Sequence, residues 1–260
     1  MSQPAAAIEF TGVGRRFDDG YVAIENIDLR VEAGRFVSVV GPSGCGKSTL
    51  LNLAAGLLTP TAGSVGIFGQ RLDSLNARAG YLFQQDALLP WKTVLENVAL
   101  GPTFRGRDAS HEAREWVGRV GLKGFEDRYP AQLSGGMRKR VALAQTWIAK
   151  PDIVLMDEPF SALDVHTRVR METEVLELWT GSGKTVLFVT HDLEEAIALG
   201  DEVVVLSAGP AAGIVARFEV DLPRPRPLLD IRTDSRFHAL YAKVWSALRA
   251  EVMRSHERQI

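Results

Sequence analysis

Gly41-Pro42-Ser43-Gly44-Cys45-Gly46-Lys47-Ser48-Thr49 is the stretch on which the reading of this chain turns, because it fits the pattern G-x-x-x-x-G-K-[ST]. Each residue type has a physical reason to be there. The glycines let successive backbone N–H groups turn inward and form a concave nest for a phosphate. Lys47 sets a compact positive charge beside the β- and γ-phosphates of a nucleotide, and the Ser48 hydroxyl can ligate Mg2+. The flanks agree. Phe36-Val37-Ser38-Val39-Val40 is an apolar, β-branched run with the character of a buried strand, and residues 48–56 read as a helix. The loop therefore joins a strand to a helix N-terminus, whose partial positive charge favours an anion.

A loop of this kind says nucleotide and little more. Leu133-Ser134-Gly135-Gly136-Met137 precedes a helical run over residues 138–149, so its hydroxyl and unpaired N–H groups form a second phosphate-binding turn. Taken alone it reads better as an ordinary helix cap. Shortly afterwards Ile153-Val154-Leu155-Met156-Asp157-Glu158-Pro159 sets four apolar residues before two acids. That pattern is a buried strand delivering carboxylates at its C-terminal end, where open α/β sheets bind ligands.

With these motifs in order, the chain resembles the nucleotide-binding subunits of ABC transporters. The resemblance runs from about Ile8 to the C-terminus. It rests on the phosphate loop, a Q-loop at Tyr81-Leu82-Phe83-Gln84, the LSGG signature and the Walker B strand. The D-loop Ser161-Ala162-Leu163-Asp164 and the switch histidine in Val189-Thr190-His191-Asp192 complete it. Leu88-Leu89-Pro90-Trp91 and Val220-Asp221-Leu222-Pro223-Arg224-Pro225-Arg226 are similar to segments of importers of nitrate, taurine, alkanesulfonate and related solutes.

The resemblance implies an α/β phosphate-loop NTPase domain of the ABC type: a mostly parallel sheet core, an antiparallel β subdomain and a helical insertion. It implies ATP and Mg2+ as cofactors. Residues 41–49 would hold the phosphates. Ser48, Asp157 and Gln84 would serve the metal, with Gln85 beside Gln84 as an alternative. Glu158 would polarise the attacking water, His191 would contact the γ-phosphate, and Lys47 would balance charge. Phe17 or its neighbour Tyr21 would stack on adenine. Ser134, Gly135, Gly136 and Asp164 would act in trans, across a head-to-tail dimer of two copies with ATP in the seam. The implied partners are two integral-membrane permease chains and, indirectly, an extracytoplasmic solute-binding protein. Met137 and Gln145 depart from the family pattern, which commonly has Gln and Arg there, and a thioether cannot donate a hydrogen bond to a ribose.

Composition narrows the setting. The 260 residues suffice for a substantial core, and 46% hydrophobic with 24% charged residues is ordinary for a globular protein. A net charge of −2 offers no electrostatic footprint for nucleic acid. No stretch is apolar enough to span a bilayer, and the N-terminus has neither the basic nor the apolar region of a secretory signal. The expected place is peripheral, on the cytoplasmic face of the cell membrane, with membrane spans supplied by another chain. Cys45 is the lone cysteine, so no internal disulfide forms. Its position near Lys47 at a helix N-terminus predicts a thiol with enhanced thiolate character.

The order of elements predicts one domain. Residues 8–14 and 23–31 read as antiparallel strands about an Asp18-Asp19-Gly20 turn, and strands recur at 36–40, 64–68, 79–83, 153–156, 185–190 and 202–206. Helical spacing dominates from about 88 to 150, and the alternation elsewhere predicts a mostly parallel, doubly wound sheet. From about 221 to 254, three prolines at alternate positions impose an extended arm. An amphipathic helix follows, with Phe237, Leu240, Tyr241, Val244, Leu248 and Val252 on one face, expected to pack on its own lobe.

Overall fold

The computed structural model describes residues 6–161 and 163–257. The chain opens with two long antiparallel strands, β1 (Ala6–Arg16) and β2 (Val22–Glu32), joined at the expected turn. Next come β3 (Phe36–Val40), the phosphate loop and helix α1 (Lys47–Ala54). Strands β4 (Ala62–Ile67) and β5 (Gln70–Arg71) return to β1, giving a four-stranded antiparallel sheet in the order β2-β1-β4-β5.

After β6 (Ala79–Leu82) the chain turns helical. α2 (Val94–Val98), α3 (Leu100–Phe104), α4 (Ser110–Arg119) and α5 (Gly135–Ile148) pack mainly on one another. The remainder alternates: β7 (Ile153–Asp157), α6 (Val165–Trp179), β8 (Thr185–Val189), α7 (Leu193–Leu199), β9 (Glu202–Leu206) and β10 (Ile214–Glu219). These strands form a six-stranded sheet ordered β10-β9-β3-β8-β7-β6. All its pairings are parallel except β10 on β9. The expectation of an α/β fold with a mostly parallel core and an antiparallel β subdomain is borne out.

The central strands are buried on both faces, as parallel sheets require. Their alternation divides the core in two. Phe36, Val40, Val154, Met156, Val186 and Phe188 face the larger core, which they share with the helices of 94–148 and with α6, α7 and the C-terminal helix. Val37, Val39, Ile153, Leu155, Leu187 and Val189 face the other, with α1 and the antiparallel sheet. β10 has a half-exposed edge pattern and was not read in the sequence as a strand.

The last helix, α8 (Ser235–Glu257), lies on α7, β9 and β10. Phe237, Val244 and Leu248 are buried there and Leu240, Tyr241 and Val252 pack beside them, which is the intramolecular packing that the apolar stripe suggested. The proline arm is fastened by its arginines. Arg226 is buried and donates to the carbonyl oxygens of Ile197, Ala198 and Gly200 at the end of α7. Arg224 donates to Leu199 O and Asp201, and its guanidinium stacks 4.4 Å from the Trp179 ring. Among the described residues no helix is long and apolar enough to cross a membrane.

Candidate nucleotide site

The sheet order explains how distant motifs meet. β6, β7, β8 and β3 are successive neighbours and parallel, so their C-terminal ends lie side by side. The segment holding Gln84 leaves β6, Asp157 and Glu158 end β7, His191 follows β8, and the phosphate loop follows β3. The crevice outside strand carboxyl ends is where such sheets bind ligands.

The phosphate loop enters α1 through Gly46, whose φ of 93° is left-handed and strained for any other residue. Gly41 and Pro42 are buried, Ser43, Gly44 and Ser48 are exposed, and Thr49 is half-buried on the first turn of the helix. Lys47 is itself buried, and its Nζ donates to Gly41 O at 2.9 Å and Pro42 O at 3.0 Å. The lysine thus crosses its own loop and holds the nest open.

Ser48 Oγ donates to Asp157 Oδ1 at 3.0 Å. Burial pushes the Asp157 carboxyl above its ordinary range, against the lowering effect of the Ser48 hydrogen bond. Tyr81 donates toward the other oxygen of Asp157 at 3.4 Å and toward Asn52 Oδ1 at 3.2 Å, and burial raises its own phenol. The Tyr81 ring stacks on Phe83, with centroids 4.1 Å apart. Among the described residues no group of three or more His, Cys, Asp or Glu side chains gathers as a metal cage. A hydroxyl and one carboxylate at hydrogen-bond distance are instead hard oxygen donors of the kind Mg2+ takes alongside phosphates and water. The donor set fits the expected metal.

Glu158 follows with φ of 43°, a strained backbone for a residue with a side chain, and its N–H donates to Val189 O at 2.9 Å. The extra ladder bond fixes the strained residue to β8. Its carboxylate Oε2 lies 3.0 Å from His191 Nδ1, and the ring of His191 is exposed. The D-loop doubles back beneath it: Ser161 N and Oγ both donate to Glu158 O. Ala162 lies outside the described residues. Asp164 is exposed and caps α6 by accepting from Thr167 N at 3.1 Å; the Thr167 hydroxyl first, and then this N–H, draw its carboxyl below the usual range.

In the signature, Ser134 caps α5 through Met137 N, and Ser134 and Gly135 are exposed. Gly136 is required by packing, since a Cβ there would fall 2.8 Å from Thr167 Cγ2 on α6. Gln84 has an exposed side chain, but its carbonyl and that of Phe83 accept from Lys139 on α5. Asp86 accepts from Arg138 at 3.0 Å and pairs with Lys139 at 3.2 Å. These contacts tie the signature helix to the Q-loop, and sequence reading missed them. The clue was present as two cations directly after the signature, yet their partner Asp86 is more than fifty residues away.

Phe17 is half-buried and lines a cleft of about 580 Å3 between the first strands, with the Arg15 guanidinium 4.9 Å from its ring. Tyr21 is exposed, and its hydroxyl donates to Gly44 O at 3.2 Å on the phosphate loop. One expectation fails. Cys45 is buried beneath the loop among Val37, Val39 and Leu206, and burial pushes its thiol up in spite of Lys47. The helix end and the lysine charge do not outweigh loss of water around the thiolate.

Fold and site together define a phosphate-loop nucleotide-binding domain whose carboxylates, histidine and glycine loop converge at the carboxyl ends of neighbouring strands. The chain belongs to the ABC transporter family, whose model matches residues 24–161. It is 46% identical to an ABC transporter ATP-binding protein of Methanocaldococcus jannaschii, over 90% of this chain and 86% of that one. The taurine import ATP-binding protein of Escherichia coli K12 is 42% identical over 87% of this chain and 91% of its own. Among solved structures, the dimeric post-hydrolysis ATP-binding cassette bound to ADP and Pi superposes with a TM-score of 0.74. It is 33% identical, over 83% of this chain and all of that one.

Proposed function

We propose that this chain is the ATP-hydrolysing subunit of an importer for a small solute, working as a pair on the cytoplasmic face of the membrane beneath two permease chains. The observation that carries the reading is the convergence of Lys47, Ser48, Asp157, Glu158 and His191 at adjacent strand ends. Likeness to the taurine import protein supports the direction of transport and the solute class. A small-solute cargo is also supported by 42% identity, over 86% of this chain, to a bicarbonate transport ATP-binding protein of Synechococcus elongatus, of which the match spans 34%.

Phosphoryl transfer to water needs positioning and charge compensation more than covalent work by the protein. In this reading Lys47 and the loop amides of 41–49 neutralise the phosphates. Ser48 and Asp157, with Gln84, hold Mg2+, which when bound supplies further charge neutralisation at the phosphates. Glu158 orients the attacking water and takes up its proton. His191, held by Glu158, presents Nε2 toward the γ-phosphate. Phe17 is the better stacking partner for adenine, because it lines an open cleft while the Tyr21 hydroxyl is committed to Gly44. Ser134, Gly135, Gly136 and Asp164 of a second copy cap the γ-phosphate, a role that the exposure of Ser134, Gly135 and Asp164 permits and the dimeric cassette of known structure supports. ATP then glues the pair, and hydrolysis releases it.

The test is purification of the tagged chain from membranes, followed by ATPase assays of the complex in vesicles with taurine, alkanesulfonates, nitrate or bicarbonate and the matching binding protein. A multi-span permease should co-purify, and one solute should stimulate turnover. A chain that purifies free of any permease and hydrolyses ATP indifferently to all four solutes would sink the import reading.

A further inference from the structure

A polar cluster built around the buried Thr190 and Glu195 adjoins the switch histidine in the chain. Thr190 Oγ1 donates to Glu195 Oε2 at 2.6 Å and accepts from Asp192 N at 3.0 Å. Asp192 Oδ1 caps α7 by accepting from the N–H groups of Glu194 and Glu195. From α6, Arg168 reaches into this turn. Its Nη1 donates to Asp192 Oδ2 at 3.2 Å, its Nε lies 3.7 Å from Glu195 Oε1, and its Nη2 reaches Leu163 O in the D-loop at 3.4 Å. Deeper, Arg232 pairs with Glu172, which is wholly buried, and with Glu194.

These contacts close a ring around the proposed catalytic pair. Glu158 O holds Ser161, the D-loop runs on to Leu163, Leu163 O holds Arg168, and Arg168 holds Asp192. Asp192 is bonded in sequence to His191, which returns to Glu158. We propose that Arg168 is a positioning residue for ATP hydrolysis, bridging the D-loop and the switch turn so that the His191 ring is held against Glu158. A guanidinium suits this task, since its planar fork carries several donors in fixed directions while an ammonium is a point charge. The Arg168 Nε itself is buried without a hydrogen-bond partner, 3.7 Å from Glu195 Oε1.

The inference rests on the hydrolytic roles of Glu158 and His191, so its test separates the two. Single-turnover ATP cleavage and nucleotide affinity are measured on the full chain for Arg168→Ala, Arg168→Lys, His191→Ala and the two double variants with His191→Ala. Arg168→Ala should slow cleavage about tenfold with ATP affinity held within about twofold, and Arg168→Lys should recover part of the loss. In the His191→Ala background the same changes should cost less than about twofold, because the ring they position is gone. Equal losses in both backgrounds, or weaker ATP binding with unchanged cleavage, would overturn the bridge alone. Parental cleavage by His191→Ala would overturn the assignment of the pair, and the bridge with it. If Arg168→Ala does not fold, the Arg168→Lys cycle decides on the same criteria.

Discussion

Glu158 Oε2 and His191 Nδ1 stand 3.0 Å apart at the ends of neighbouring strands. An ionised carboxylate can only accept, so this contact places a proton on Nδ1 and leaves Nε2 facing away from Glu158. The left-handed backbone at Glu158, pinned to Val189 O, fixes where that carboxylate stands.

Glu158→Gln keeps the shape of the side chain and removes its charge and basicity. Turnover should fall by at least about a hundredfold, the ordinary scale for loss of a positioned base. ATP affinity should hold, and the variant should dimerise with ATP and Mg2+ when followed by size-exclusion chromatography. Parental turnover would show that another group handles the water.

The arginines of the proline arm should matter for stability. Arg226 is buried, its guanidinium serves the carbonyls that end α7, and desolvation lowers its pKa to about 10. It remains charged at neutral pH. Arg226→Ala strips several buried carbonyls of a charged donor and should destabilise the chain by about 3 kcal/mol. Chemical denaturation measures this directly, and a loss under about 1 kcal/mol would mean that water replaces the guanidinium without penalty.

How far the sequence disclosed the structure differs from one feature to the next. The phosphate loop was legible because its chemistry is local: each of its residues acts where it stands. The parallel strands were legible because two buried faces leave continuous runs such as Ile153-Val154-Leu155-Met156. β10 escaped because a half-exposed edge strand such as Ile214–Glu219 carries a weak pattern. Arg226 and Lys139 escaped for another reason: a charged residue in sequence gives no sign that it is buried, which depends on carbonyls and acids brought together by the fold. Cys45 was misjudged on the same ground, its charge environment being visible in sequence and its burial not.

Trp91 is 71% exposed, while Asn97 clamps the loop that carries it. The Asn97 side chain accepts from Leu89 N and donates to the carbonyls of Leu89, Lys92 and Thr93. A large ring on a rigid loop in water suits a partner surface. Trp91→Ala should therefore change the melting temperature by less than about 1 °C, in keeping with surface substitutions, yet reduce the permease recovered with the tagged chain. A marked fall in melting temperature would instead assign the ring to internal packing.

Stability should fall as pH rises through the neutral range. Burial lifts Glu195 from its ordinary 4.5 to about 8 and Glu172 to about 7, with Asp192 adding repulsion and Arg168 and Arg232 opposing. The folded chain binds these protons more tightly than the unfolded one, so their contribution is full below about pH 4.5 and is lost as pH climbs through about 7 to 8. Glu195→Gln removes one of the two titrations and keeps an acceptor for Thr190. Its melting temperature should drop less between about pH 6 and about pH 8.5 than that of the parent, and an identical slope would show that Glu195 is ionised throughout.

Cys45 should react slowly with maleimide in the native protein, because its thiol is buried and its thiolate is disfavoured. Mg-ATP should leave that slow rate almost unchanged, since the thiol is buried within the apolar layer under the loop. Reaction should become fast in denaturant. Cys45→Ala leaves a small void beneath the loop and should cost about 1 kcal/mol while retaining ATP binding, and Cys45→Ser should cost more, because a hydroxyl buried there has to find a partner. Rapid native labelling that Mg-ATP blocks would place the thiol in the phosphate nest and require a different loop geometry from the one in which Lys47 spans Gly41 and Pro42.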